Sequence, residues 1–388
     1  MVRYGVQALI DRQAQTSDAS TFKYDLPKKG GLAGMDVILR ETNGGTSNLD
    51  HWLTEIVSKL EIIANGDQRL FSMTGEEAFR YFWLRDGKPP ECNFDEGVSA
   101  VQRCNFPLQF GRFPNDPLYG LDLGKYENVQ LAIEYNAATG GAVGATGFLT
   151  GSFEVSAQMH ITEAQRAPSY RGCITPREIY NFTTVASGEK EVDLPTQWPI
   201  LGYMIYAREE AVAFATSLTK ARLSLDNDAM QPYRGRIEHQ VAWQKSRMGP
   251  ATIKYPLLVN STGTKHVHFD DDYSVLFDIL GIDWATGATD GIENTVHASP
   301  SADTITLQGM KVTYAKAGVV QTAIAALSLA PADMNVTGYP GHCLYVPIAD
   351  RDAMTDLLNP RDYSNAKLIL EQGNAGAYCG IIIEELRT

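Results

Sequence analysis

The stretch HVHFDDD, residues 266–272, has the most metal-ligand character in the chain. On a strand, His266, His268 and Asp270 point the same way, and three such groups suit zinc or another divalent ion. Asp270, Asp271 and Asp272 equally offer oxygens to calcium. Neither HExxH nor EF-hand spacing accompanies them, and the segment sits in a long polar insertion where a solvated loop is the plain alternative. A divalent ion is the one cofactor this pattern admits; otherwise none is expected.

Three carboxylate pairs, Glu76/Glu77, Glu209/Glu210 and Glu384/Glu385, have the residue types of a glycosidase acid and nucleophile. That chemistry needs two groups on facing walls of a cleft, whereas neighbours on a strand point to opposite faces. Solvated or ion-paired charge is the expectation. The glycine-rich AATGGAVGATG at 137–147 lacks the lysine and following helix of a phosphate cradle and reads as a hairpin loop. With no G-x-S-x-G elbow, P-loop or dinucleotide fingerprint, no catalytic residue is assigned and no enzyme is expected.

The elements that must position these residues belong to a chain of 388 residues, long enough for two cores. Hydrophobic residues make up 44% and charged ones 20%, with 34 glycines and 18 prolines, a turn-rich globular composition. A formal charge of −13, without lysine or arginine clusters, argues against direct nucleic-acid binding. No secretory core or membrane-length apolar run is present, which predicts a cytosolic product. Its five scattered cysteines suggest reduced thiols, and sequons at Asn181, Asn260 and Asn335 carry little weight in such a compartment.

Self-similarity is the strongest signal. DLPKKGGLAGMDVILRE at 25–41 aligns without a gap to DLPTQWPILGYMIYARE at 193–209, sharing Asp25/Asp193, Leu26/Leu194, Pro27/Pro195, Gly34/Gly202, Arg40/Arg208 and Glu41/Glu209. SKLEIIANGD at 58–67 then matches ARLSLDNDA at 221–229, each a strand running into an Asn/Asp turn. TGEEAFRYFWLRDG at 74–87 faces RGRIEHQVAWQKSRMG at 234–249, with Gly75 and Gly235 each eight residues before a tryptophan. Thr74 and Glu77 form a capping-box pattern and Gly87 suits a helix end. KYENVQLAIEY, from residue 125, matches DYSNAKLILEQ, from residue 362. One further strand follows in each half: SFEVSAQMHIT at 152–162 and AYCGIIIEEL at 377–386.

The period within these repeats is two, and turns of Gly, Pro, Asn and Asp separate them, so the predicted class is all-β with short helices. The expected order is an N-terminal arm (1–19), a first sandwich (20–165), a linker (166–187) and a second sandwich (188–388) with a long loop insertion at about 251–345. Val6, Leu9, Ile10 and Gln13 have helical spacing, suggesting a short amphipathic arm for a neighbour or a lipid surface. Of the tryptophans, Trp83 and Trp243 match across the repeat, which suggests core packing for both.

The paired DLP strand starts, the strand-and-turn KLEIIANGD, the Tyr126 and Tyr363 strands and the isoleucine-rich last strand resemble the double jelly-roll major capsid proteins of tailless icosahedral viruses, many of which enclose a membrane. The resemblance spans most of 20–388 and rests on architecture, since the family has no invariant motif. It implies two tandem eight-stranded jelly rolls and a structural subunit forming homotrimers with six barrels about the axis. It further implies a virion location after assembly in host cytoplasm, with neighbouring capsomers, penton and minor capsid proteins as partners, and an internal membrane met through the N-terminal arm. The alternative is a tandem β-sandwich hydrolase or lectin acting on glycans.

Overall fold

The computed structural model describes residues 4–45, 48, 51–95, 98–137, 147–162, 169–209, 212–249 and 339–388, together with seven backbone strands between Ala251 and Gly338. In the first half the chain order is β1 (Tyr4–Ala14), β2 (Ala19–Asp25), β3 (Gly31–Thr42), α1 (Leu53–Ile56), β4 (Val57–Ala64), β5 (Gln68–Met73), α2 (Gly75–Asp86), β6 (Cys92–Asn93), β7 (Val101–Gln109), β8 (Leu121–Asp122), β9 (Val129–Asn136) and β10 (Glu154–Thr162). The second half runs β11 (Cys173–Thr183), β12 (Gly188–Asp193), β13 (Ile200–Arg208), α3 (Phe214–Ser217), β14 (Leu218–Leu225), β15 (Met230–Arg236) and α4 (Ile237–Met248). The insertion holds β16 (Ala251–Leu257), β17 (Val275–Leu280), β18 (Val296–Ala298), β19 (Ala302–Gln308), β20 (Lys311–Lys316), β21 (Val319–Ile324) and β22 (Ala332–Gly338). The chain closes with β23 (Cys343–Pro347), β24 (Ala366–Gln372) and β25 (Tyr378–Arg387).

Each half is a sandwich of two layers whose four main strands follow one and the same order, with short β6 and β8 added to the first layer. The first has β1-β10-β3-β7 over β2-β9-β4-β5; the second has β11-β25-β13-β23 over β12-β24-β14-β15. The duplication reaches single hydrogen bonds. The Leu26 N–H donates to the Val129 carbonyl and the Leu194 N–H to that of Ala366, so each DLP leucine starts the pairing of a matched strand, and both leucines are buried. Asn65 and Asp226 turn the chain after β4 and β14 with φ of 53° and 52°. Their side chains accept from the Glu127 and Ser364 N–H groups, and their own N–H groups donate to the carbonyls of Asn128 and Asn365. The Tyr126 and Tyr363 strands recur because each must dock on such a turn.

Period-two burial builds the two cores. β7 alternates buried Gln102, Cys104, Phe106 and Leu108 with partly exposed neighbours, as a strand with one face on a core should. One core gathers Trp83, Phe71, Phe82, Phe106 and Leu131; the other gathers Tyr203, Ile205, Leu223, Leu368 and Ile381.

Three expectations change. The arm at 1–19 is in large part β1, a strand paired with β10, and not an amphipathic helix; register shifts on either side of Ile10 are β-bulges. Each bulge adds a residue and breaks the alternation, leaving apolar side chains at helix-like intervals. The linker at 166–187 contains β11, the counterpart of β1, paired with β25 along its length. Pro176 is tolerated within it because β11 meets β5 only through Arg177 and Ser72, so the missing N–H breaks no ladder there. The insertion is not a bare loop. β16 and β22 pair from Ala251↔Gly338 to Leu257↔Ala332 as an outgoing and returning ribbon; β17 and β18 extend it into a four-stranded sheet, and β19-β20-β21 form a separate three-stranded one.

Candidate assembly interface at the seam between sandwiches

The two sandwiches meet where helix α2 of the first lies on the β11-β25-β13-β23 layer of the second. Thr74 caps α2 by accepting from the Glu77 N–H, Glu77 returns the bond to the Thr74 N–H, and Gly87 ends the helix in the left-handed region at φ 69°. So anchored, α2 presents Glu76, Glu77, Arg80 and Tyr81 to the second half.

The Glu76 carboxylate accepts from the Tyr206 hydroxyl at 2.6 Å and from Arg208, which also reaches Glu55 at 3.2 Å. Arg80 donates to the Gly341 carbonyl at 3.0 Å and lies over the Tyr206 ring. Tyr81 donates to Glu384, which also takes Arg351 at 2.9 Å and the Tyr345 hydroxyl. Lys59 pairs with Glu178, which accepts from Tyr378 at 3.0 Å. Glu384 and Glu77 are fully buried. Glu384 with Arg351 is an ion pair, and breaking such a pair from one side costs about 3–5 kcal/mol because the buried partner's charge is stranded.

Glu77 is the least comfortable of these groups. Gly380 makes room for it: a Cβ there would stand 1.9 Å from Glu77 Oε1, an oxygen with no hydrogen-bond partner among the described residues. Burial, and then the Glu178 carboxylate, push Glu77 up to about 7, against the opposing pull of the Thr74 bonds and Lys59. Burial and Glu76 likewise raise Glu55. Burial and the Glu384 charge raise the Tyr81 and Tyr345 hydroxyls far enough to keep them neutral donors.

At one end of the seam a polar cleft of about 540 Å³ opens beside Arg69, Lys125, Tyr126, Arg177, Trp198 and Arg387. Arg177 and Arg387 are held by the buried Glu385, and Arg69 by Glu61. Three of its cations are therefore already engaged by the protein's own carboxylates.

No protein-family profile and no curated protein matches the sequence. Solved structures do. The major capsid protein of Sulfolobus turreted icosahedral virus aligns over 98% of this chain and 96% of its own, with a TM-score of 0.55 at 10% identity. The PBCV-1 virus capsid protein aligns over 100% and 94%, with a TM-score of 0.54 at 10% identity. The major capsid protein of bacteriophage PM2 aligns over 99% and 97%, with a TM-score of 0.50 at 8% identity. The chain has the double jelly-roll fold. Each jelly roll supplies the eight strands expected of it, and the insertion lies between α4 and β23 of the second.

Within this double jelly roll the sequence candidates part company. His266, His268 and Asp270 lie outside the described residues, as do Asp271, Asp272, Glu210, Trp284 and most of the 137–147 loop. Among the described residues no group of three His, Cys, Asp or Glu side chains is placed to hold a metal. Glu384 and Glu385 do point to opposite faces, yet both are buried and ion-paired instead of solvated. Glu76 and Glu77 share a helix and serve the seam; Glu209 takes the Asn374 amide at 2.6 Å. Trp83 is fully buried, whereas its match Trp243 is 44% exposed with Arg247 over its ring, which overturns the core reading for Trp243. Sequence reasoning missed Tyr81, Tyr206, Arg208 and Glu384 as a set. The Arg40/Arg208 identity and the Glu384/Glu385 pair hinted at single members, and the two arginines differ in use: Arg40 meets Ser156 within its own jelly roll.

Proposed function

We propose that this chain is a viral major capsid protein, a structural subunit whose homotrimers present six jelly rolls around an axis and tile an icosahedral shell. The observation that carries the reading is that the chain uses its internal joint once and carries the same two halves of that joint at its outer ends. Inside the chain, β5 and α2 of the first jelly roll meet the β11 layer of the second. Their counterparts, β15 with α4 on the second and β1 with its layer on the first, stand at sheet ends, where among the described residues no strand of the other jelly roll pairs with β15 or β1.

The outer surfaces have the character of interfaces awaiting a copy. Met230 on β15 is 48% exposed and Trp243 on α4 is 44% exposed, while Trp83 on the enclosed α2 is fully buried. On β1, Ile10 alone is buried among the side chains from Gly5 to Ala14, and among the described residues no strand pairs with the outer edge of β1. A head-to-tail contact that repeats the internal joint generates a closed ring when its rotation divides a full turn. Three chains give six equivalent positions, which suits a hexagonal lattice.

On this reading the α4–β23 insertion projects from the shell, and contacts with neighbouring capsomers, penton and minor capsid proteins fall on the ring's outer rim. The place of action is the virion, after assembly in the host cytoplasm. Negative-stain microscopy of the purified protein tests it: class averages with six lobes around a central axis are expected, and isolated two-lobed particles overturn it.

A further inference from the structure

Cys92 and Cys104 stand directly opposite one another where β6 pairs with β7. The Asn105 N–H donates to the Glu91 carbonyl at 2.8 Å. Glu91 and Asn105 are thus a hydrogen-bonded pair, and Cys92 and Cys104, one residue along, are a non-hydrogen-bonded one. In such pairs the α-carbons are about 4.5 Å apart and the two side chains leave on the same face. A disulfide spans that separation. Cys104 is fully buried in the row of Gln102 and Phe106, and Cys92 packs half-buried against the same core.

The other three thiols have no such partner in register. Cys173 faces Arg387, Cys343 faces Tyr206, and Cys379 faces Phe182 on one side and Ala207 on the other. All five are free thiols in this structure. Burial raises Cys92 to about 12, and burial followed by the nearby Cys92 also pushes Cys104 well up. Thiolate is the reactive form, so this pair exchanges slowly.

We propose that Cys92 and Cys104 form a redox-convertible dithiol that closes to an intrachain disulfide when the folded chain meets a low-molecular-weight disulfide oxidant. Cys92, the less buried of the two, attacks as thiolate one sulfur of the oxidant, forming a mixed disulfide and expelling the first small thiolate. Cys104, as thiolate, then attacks the Cys92 sulfur, forming the Sγ–Sγ bond and expelling the second. The protein loses two protons and two electrons; the oxidant becomes two small thiols. The bond fastens β6, the outermost strand of its sheet, to β7 and closes the connection between α2 and β7. This inference does not depend on the assembly reading.

The test is oxidised glutathione added to the intact purified protein, followed by denaturation, alkylation with N-ethylmaleimide, and mass spectrometry. Alkylated cysteines are expected to fall from five to three. Trypsin cuts after Arg103, so peptides 86–103 and 104–112 should be recovered as one linked species that reduction separates. Cys173→Ser should still lose two alkylatable thiols, and Cys92→Ser should lose none. The proposal is overturned if wild-type protein keeps five alkylatable thiols, stops at a mixed disulfide on Cys92, or links any other pair. The wild-type peptide map decides this even where a variant folds poorly.

Discussion

Replacing Glu77 by glutamine probes the seam at its most strained group. Glutamine at the third helical position still accepts from the Thr74 N–H, so the capping box survives. What it removes is a carboxylate whose ionised form the fold disfavours. In the unfolded chain the carboxyl has its ordinary value of 4.5, and in the native protein it stands at about 7. Below pH 4.5 it is protonated in both states and contributes no penalty. Between 4.5 and 7 the unfolded chain ionises first, so wild-type stability falls by about 1.4 kcal/mol per pH unit; above 7 the loss is constant. The interval from 4.5 to about 7 amounts to about 3 kcal/mol. With an unfolding entropy of about 2.1 cal/mol/K per residue, 388 residues melting together convert this to about 4 °C. The assay is the melting temperature of both proteins from pH 4.5 to 8.5. Glu77→Gln should match wild type at the acid end and melt about 4 °C higher at pH 8. An offset that does not change with pH, or a variant less stable at pH 8, would refute the reasoning.

Three further outcomes follow from the paired geometry. Gly34→Ala and Gly202→Ala should each destabilise by about 1–3 kcal/mol in chemical denaturation, because the added Cβ would stand 2.7 Å from the Leu108 carbonyl oxygen in one copy and 3.0 Å from that of Val346 in the other. Asp226→Ala should cost about 1–3 kcal/mol by removing the acceptor for the Ser364 N–H and hydroxyl at a residue held at φ 52°; denaturant midpoints read it out. Trp243→Asp should weaken association between chains by at least about 2 kcal/mol, because this side chain is 44% exposed in the single chain; sedimenting mass against concentration in analytical ultracentrifugation measures it.

The duplicated framework was legible because its identities are residues with local jobs. Leu26 and Leu194 begin a ladder, Asn65 and Asp226 turn the chain, and Gly34 and Gly202 admit a neighbouring carbonyl. Such roles depend on short-range geometry and survive when the surrounding side chains diverge. β1 and β11 were hidden because bulges and a proline disturb the alternation by which strands are read. The seam was hidden for a different reason. Polar residues on a strand or helix imply solvent only when nothing covers that face, and Glu76, Tyr206, Arg208 and Glu384 face another domain. Trp243 shows the converse: matching places in a repeat do not receive matching surroundings when one copy is enclosed by the chain and the other lies at its outer edge. The opposition of Cys92 and Cys104 depends on strand register, which pattern alone does not specify.

The central claim is that each end of the chain completes the joint left open by the other, and native mass spectrometry of the purified protein tests it most directly. The account predicts a dominant species of about 128 kDa, three times the 42.6 kDa chain. A single chain of 42.6 kDa persisting at high protein concentration would contradict it.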